Sequence, residues 1–460
     1  MSAIAEPPQS LLGVEENLQA VQPHSPHRLR VRRTAKIAGT VEASPSKSYT
    51  HRAVIVASMG RNTRVENPLI CEDTNNTVKI WRLLGADIRN DERDLRISGF
   101  DGHPHPKADS LNVGESGTLL RFVLPMLALG EGDFTVTGSG SLLVRPNREI
   151  VRTLADWGVN IHGVGSDQKV PVHIAANGRL PGGEASIGGR TSSQVVSALL
   201  MAAPLAEKDT ILTIDGGLVS RPYIDITIDV LSWAGITVNW DASYSQFRVQ
   251  AGQPFKPKSH YKVHGDYSSS AFLMAAALLI EADVTISGLT DDKQGDKQII
   301  DILRKMGAAI EVGEDFVRIQ GPQELNGIEI DCADTPDLGP ILTTLGCFAK
   351  GETRIHNISH LKFKESNRIL EPAGQLRSLG AEITTLEDSG EILIKYSADK
   401  LRGGVVSACN DHRIAMSLAV AGLTIKEDVV ITGFEAVAKS YPSFVTHLKH
   451  LNADVSIEPK

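Results

Sequence analysis

A sixfold internal repeat is the feature that most limits how this 460-residue chain can fold. The segments IWRLLGADI, LADWGVNI, LSWAGITV, LRKMGAAI, LRSLGAEI and LKHLNADV each read as the end of an amphipathic helix, a small capping residue and the start of an apolar strand. Their pivots are Gly85, Gly158, Gly235, Gly307, Gly380 and Asn452, which by subtraction lie 73, 77, 72, 73 and 72 residues apart. A second helix type keeps the same period. It begins with hydroxyl-bearing or acidic residues and runs into a stretch too apolar to face water, as in ESGTLLRFVLPMLALG and NDHRIAMSLAVAGL. Its markers Ser46, Ser116, Ser192, Ser268, Asp337 and Asp411 are 70, 76, 76, 69 and 74 apart. Two features with one period define a repeated α/β unit, with one surface helix and one buried helix among short strands. Six units exceed a single core, so two domains of three units each are expected.

The second helix type poses an electrostatic problem. Lys47, Arg52, Arg121 and Arg413 all fall near the starts of buried helices, where the exposed N–H groups already disfavour a cation. In KFKESNRI, a helix starting at Glu365 would put Lys364 and Arg368 on one face of its first turn. Yet the chain carries a net charge of −8. Concentrating cations at such places predicts an anion site where several helix starts converge. Ser192, Ser193 and Gln194 add neutral donors at another start, and Ser220 and Tyr223 sit in a proline-marked turn. Asp337 and Asp411 read as N-caps. Arg145 lies in a proline-marked helix entry, and Lys439 lies just before the last helix.

Several classes are disfavoured. The acidic balance argues against a broad nucleic-acid surface, and no apolar run is long enough to span a bilayer. The four cysteines, Cys71, Cys332, Cys347 and Cys409, form no CxxC pair and suggest a reducing, cytoplasmic setting. Walker, dinucleotide and HExxH patterns are absent, so neither a cofactor nor a metal is implied. Residues 1–27, with four prolines and no apolar core, read as a disordered tail.

Taken in order, SKSYTHRA, SGTLLR, SSQ, SRPYIDIT, GDYSSSA, QGD, KESNRI, NDHRIAM and AKSYP closely resemble the 5-enolpyruvylshikimate-3-phosphate synthase family of enolpyruvyl transferases. The resemblance implies a two-domain inside-out α/β barrel of six βαβαββ-type units with buried parallel helices. It implies a discontinuous domain, 28–45 plus 266–460, in which a first strand near residues 28–45 joins the C-terminal half. Residues 46–265 would form the other domain, with the active site between them. Lys47, Ser48, Arg52, Ser192, Ser193, Gln194, Ser220, Tyr223, Asp337 and Lys364 would hold shikimate 3-phosphate. Lys47, Gly117, Arg121, Arg145, Gln194, Arg368, Arg413 and Lys439 would gather phosphoenolpyruvate. Asp337 would take the proton of the 5-hydroxyl, and Glu365 with Lys47 would protonate the methylene carbon.

The resemblance further implies a monomer, and the inhibitor glyphosate in the phosphoenolpyruvate pocket, where Gly117 leaves room and Phe122 replaces a common proline. Glu115, His360 and Asn367 depart from the usual family residues. The rival acceptor, UDP-N-acetylglucosamine, belongs to relatives with Lys-Asn where this chain has Lys47 and Ser48. A non-catalytic anion-binding protein would not need Asp337, Glu365 and Lys47 together. A repeat scaffold for protein partners would leave the inward arginines without a role.

Overall fold

Every pivot of the repeat closes its helix with the same two hydrogen bonds. In the computed structural model, which describes residues 27–190 and 192–459, Gly85, Gly158, Gly235, Gly307, Gly380 and Asn452 all have positive φ. Each pivot N–H reaches the carbonyl three residues back, and the next N–H reaches five back. The pair is Gly85 to Arg82 (3.2 Å) with Ala86 to Trp81 (3.1 Å) in the first unit, and Asn452 to Lys449 with Ala453 to Leu448 (both 2.9 Å) in the last. This turn satisfies the carbonyls a helix end leaves free and redirects the chain into a strand.

The unit between residues 110 and 177 shows the full pattern. Strand Ser110–Asn112, helix Gly117–Ala128, strand Glu131–Thr137, helix Arg148–Asp156 and strands Asn160–Val164 and Lys169–Asn177 follow one another. The first two strands pair in parallel, and the fourth lies antiparallel between the second and third. Six four-stranded sheets repeat this order. The fold is therefore the expected α/β architecture of six like units.

The chain crosses between units in two places. Strand Lys36–Glu42 precedes helix Lys47–Met59 but pairs with Glu281–Ser287. Strand His260–Lys262 precedes helix Tyr267–Leu279 but pairs with Thr63–Glu66. The connectors run side by side, with Ser46 N–H donating to His264 O (2.8 Å) and Asp266 N–H to Ser44 O (2.7 Å). Where one strand was expected near residues 28–45 there are two, in different sheets. His27–Val31 completes the sixth sheet between Val429–Thr432 and Val455–Pro459. Apart from His27, the expected tail lies outside the described residues.

Two hydrophobic cores result. One runs from Tyr49 to Val263, and the other combines Leu29 to Ala43 with Tyr267 to Val455. The apolar helices sit inside them, and helix Tyr267–Leu279 is buried from Tyr267 through Leu278. Ser116, Asp266 and Asp411 cap their helices through side chains, as the hydroxyl-rich or acidic starts predict. Asp337 does not. It lies in the 3-10 turn Pro336–Leu338, ahead of helix Gly339–Phe348, because two guanidinium groups claim its carboxylate. The helix after KESNR also begins later than expected, at Leu370, where Asn367 Oδ1 accepts from Ile369 N–H (3.1 Å) and Leu370 N–H (3.3 Å). Lys364 and Arg368 therefore lie in the segment before the helix. Among the described residues no helix is long and apolar enough to cross a membrane.

The pivots differ in what surrounds them. A Cβ at Gly380 would stand 2.5 Å from Lys400 O, whereas one at Gly307 would come no closer than 3.3 Å to the Asn326 amide and 3.6 Å to Glu324 O. Gly307→Ala is expected to cost about 1 kcal/mol of backbone strain, and Gly380→Ala about 3 kcal/mol because a carbonyl must also move. Calorimetric unfolding of the two variants checks the order.

Candidate functional site

Five helix starts, two 3-10 turns and the segment 364–368 converge on one cavity. It is lined by Lys47, Ser48, Arg52, Arg145, Ser192, Ser193, Gln194, Ser220, Tyr223, Asp337, Lys364, Glu365 and Arg368. Four further candidates stand around it. Gly117 packs so closely on Arg145 that an added Cβ would lie 2.8 Å from the guanidinium carbon. Arg121 donates to Gln194 Oε1 and to Pro146 O (3.0 Å). Arg413 reaches in through Asp337, and Lys439 sits at the rim against Glu115.

The two walls have different electrostatics. On one, Arg52 is 2 % exposed and bonds only neutral acceptors: Thr227 Oγ1 (2.7 Å), Ser48 O (3.0 Å), Tyr223 O (3.1 Å) and Ser197 Oγ (3.3 Å). Its guanidinium lies 5.2 Å from the Phe122 ring centre, a cation–π contact that gives Phe122 a place in this wall. Among the described residues neither Arg52 nor Arg121 forms an ion pair with a carboxylate. Burial pushes the pKa of both down, and for Arg121 the neighbouring Arg145 adds to it. Guanidinium groups stay charged, so the shift measures a cost that a bound anion would relieve.

On the opposite wall, buried Arg368 holds three carboxylates. Its Nε and Nη2 donate to Asp411 (2.7 and 3.1 Å), Nη1 to Asp337 Oδ1 (2.7 Å) and Nη2 to Glu365 Oε2 (2.7 Å). Asp337 Oδ2 also accepts from Arg413 Nη2 (3.1 Å) and from the Tyr223 hydroxyl (3.0 Å), which crosses from the other wall. Burial alone would raise the Asp337 pKa, but Arg413, Arg368 and Lys364 outweigh it and hold the carboxyl well below its usual range. Glu365 is likewise depressed, burial being outweighed by Arg368 and Arg145. Burial opposes the charge of Lys47, yet Asp73 (3.0 Å) and Glu365 keep its pKa raised. Each of these three groups is ionised near neutrality.

Not every donor is used. Arg413 Nε and Nη1 and Arg145 Nε are buried and make no hydrogen bond within the described protein. An unmet buried donor is costly, and one on a cation invites an anion. The free space between the walls is only about 60 Å³. That is room for about two waters, far below the roughly 300 Å³ at which small-molecule pockets begin, so ligand entry requires the walls to part.

Sequence reasoning missed Asp73, Thr118, His51 and His412. Asp73, an acid in the first turn of helix Glu72–Leu83, pairs with Lys47. Thr118 accepts from Gln194 Nε2 (2.9 Å) and fixes the amide that meets Arg121. The histidines line the cavity with pKa values pushed well down by burial and nearby cations, so both are neutral. Asn367 caps a helix and bonds Glu387 (3.0 Å), which gives that departure a local role.

A family model for EPSP synthase (3-phosphoshikimate 1-carboxyvinyltransferase) matches residues 31–448. A 3-phosphoshikimate 1-carboxyvinyltransferase of Methanococcoides burtonii is 40% identical over 420 residues, covering 91% of this chain and 96% of the relative. Among solved structures, an EPSP synthase from Acinetobacter baumannii superposes with a TM-score of 0.78 at 27% identity, over 94% of this chain and all of the other. The enolpyruvyl transferase NikO from Streptomyces tendae, at 19% identity, shares the fold with a TM-score of 0.74 over 95% of this chain and all of NikO.

Partly buried Lys364 is the site's titrating cation. Burial lowers its pKa to about 8, and Asp337 offsets only part of that. A lysine is charged below its pKa, so affinity for sulfate should be full below pH 7 and fall as pH rises through 8. In Lys364→Arg the fall should vanish below pH 10, as calorimetric titration across that range would register.

Proposed function

The chain belongs to the EPSP synthase family, and from that premise we propose that it transfers the enolpyruvyl group of phosphoenolpyruvate to the 5-hydroxyl of shikimate 3-phosphate, releasing phosphate. The observation that carries the reading is the pairing of unfilled buried donors on Arg145 and Arg413 with ionised Asp337 and Glu365 in one cavity. Such a site offers binding to an anionic reactant and proton transfer at once.

The unpaired guanidinium of Arg52 suits the acceptor, and that of Arg121 the donor. Arg52, Ser192 and Ser193 face its phosphate, and Lys47, Ser48, Ser220, Tyr223 and Lys364 surround the ring carboxylate and hydroxyls. Arg121, Arg145, Arg368, Arg413 and Lys439, with Gly117 and Gln194, take the donor's carboxylate and phosphate. The two bodies, 28–45 plus 266–460 and 46–265, close over both substrates and exclude water that would hydrolyse an intermediate.

Addition comes first. Asp337 accepts the 5-hydroxyl proton as the oxygen bonds to C2 of phosphoenolpyruvate, and C3 takes a proton to become a methyl group. Glu365 is ionised in the resting cleft, so that proton starts on the Lys47 ammonium and reaches C3 from Lys47 itself or through Glu365. Elimination reverses the sense. The C2–O bond to phosphate breaks, the surrounding cations stabilise the departing charge, and the methyl group returns a proton to leave the enol ether. Glyphosate would compete in the donor pocket.

Phosphate release on mixing the protein with phosphoenolpyruvate and shikimate 3-phosphate tests the assignment. Release with UDP-N-acetylglucosamine instead would transfer the activity to the other acceptor. Lys47→Ala and Asp337→Asn should each lower kcat by at least about a hundredfold while circular dichroism shows the fold retained. Gly117→Ala should act on binding. By pushing the Arg145 guanidinium aside it should raise the KM for phosphoenolpyruvate about tenfold while the KM for shikimate 3-phosphate stays the same.

A further inference from the structure

Lys439 is a proposed donor ligand whose N–H groups are all already taken within the described protein. Its ammonium has three N–H groups, and they meet Glu115 Oε2, Asn410 O and Asn410 Oδ1, each at 3.1 Å. The two Asn410 acceptors are neutral and come from the same side of the cleft. The third is a carboxylate from the other side, and both side chains are largely buried, at 6 and 18 % exposure.

The seat for that carboxylate is specific. Glu115 Oε2 also accepts from Asn410 Nδ2 (3.0 Å) and from Ser141 N–H (3.3 Å). Gly140, with φ of +53°, leaves no space for a Cβ against the Glu115 carboxyl. Glu115 stands two residues before Gly117, whose Cα rests on Arg145, so its negative charge is held at the mouth of the cation cluster.

We propose that Glu115 is an internal surrogate for the donor's phosphate, occupying Lys439 across the cleft until the donor displaces it. The inference rests on the donor site assigned above. Lys439 has no spare N–H for a new anion, and Asn410, next to the Asp411 cap of helix His412–Gly422, lies on the same side of the cleft as Lys439. Glu115 is the partner that leaves when the walls part, and its charge near an arriving phosphate weakens binding. Glu115 thereby sets donor affinity as a positioning residue without touching the reacting atoms.

Glu115→Gln keeps the shape and the accepting oxygen but removes the charge. The KM for phosphoenolpyruvate and the dissociation constant for inorganic phosphate should both fall about tenfold, with the gain shrinking at high salt. The gain should vanish in a Lys439→Gln background, which localises it. Glu115→Asp should stay near the starting values. Arg221→Gln breaks another ion pair across the cleft, Arg221–Asp334, and serves as the control for general loosening. Unchanged or weaker phosphate binding in Glu115→Gln, or an equal gain in Arg221→Gln, would overturn the proposal. Absence of turnover in the unmodified protein would count against the enzymatic assignment instead, and the phosphate titration would still decide the role of Glu115.

Discussion

The site hangs on the buried charge of Arg368. A guanidinium at 1 % exposure is tolerable only if its donors are met by well-placed acceptors, and here three carboxylates from three segments meet them. Asp411 does this while capping helix His412–Gly422, so the helix start and the arginine hold each other in register. Asp337 is drawn out of a capping position into a turn, and Glu365 is fixed three residues from Arg368 in its own segment. One side chain thus positions both proposed proton-transfer carboxylates and the helix start that aims Arg413.

The opposite wall is built on the reverse principle. Arg52 and Arg121 are buried among neutral acceptors and an aromatic face, an arrangement that is costly without an anion and favourable with one. The carboxylates Asp337 and Glu365 stand on one side, and Lys47 stands with the arginines that lack a carboxylate partner on the other. Bringing the sides together assembles the reaction, and the hydrogen bond from Tyr223 to Asp337 is one place where they touch.

What the sequence revealed follows from the range of the forces involved. The helix ends were legible because a left-handed pivot is a local requirement, met by glycine five times and by asparagine once. The buried helices were legible because no surface tolerates such apolar runs. Asp337 was misread because a carboxylate before an apolar stretch looks like a cap, and the guanidinium groups that claim it lie 31 and 76 residues away. Asp73 carried no signal, since acids are ordinary in a first helical turn and its partner Lys47 is 26 residues off. The placement of strands Lys36–Glu42 and His260–Lys262 in each other's expected sheets is a parallel pairing across more than 190 residues, which leaves no local trace.

A base held by two guanidinium groups is a weak base, which sets a condition on how Asp337 could act. Its carboxylate is ionised, but Arg368 and Arg413 each take one oxygen and make a further proton unwelcome. Those same arginines are the groups proposed to receive the donor, and Arg413 still has unmet donors on Nε and Nη1. As a donor carboxylate or phosphate engages them, its negative charge offsets theirs and the hold on Asp337 weakens. The basicity of Asp337 would then rise only when the donor is seated and the walls are closed. By this argument the paired resting state restrains the base until there is a carbon centre for the activated hydroxyl to attack.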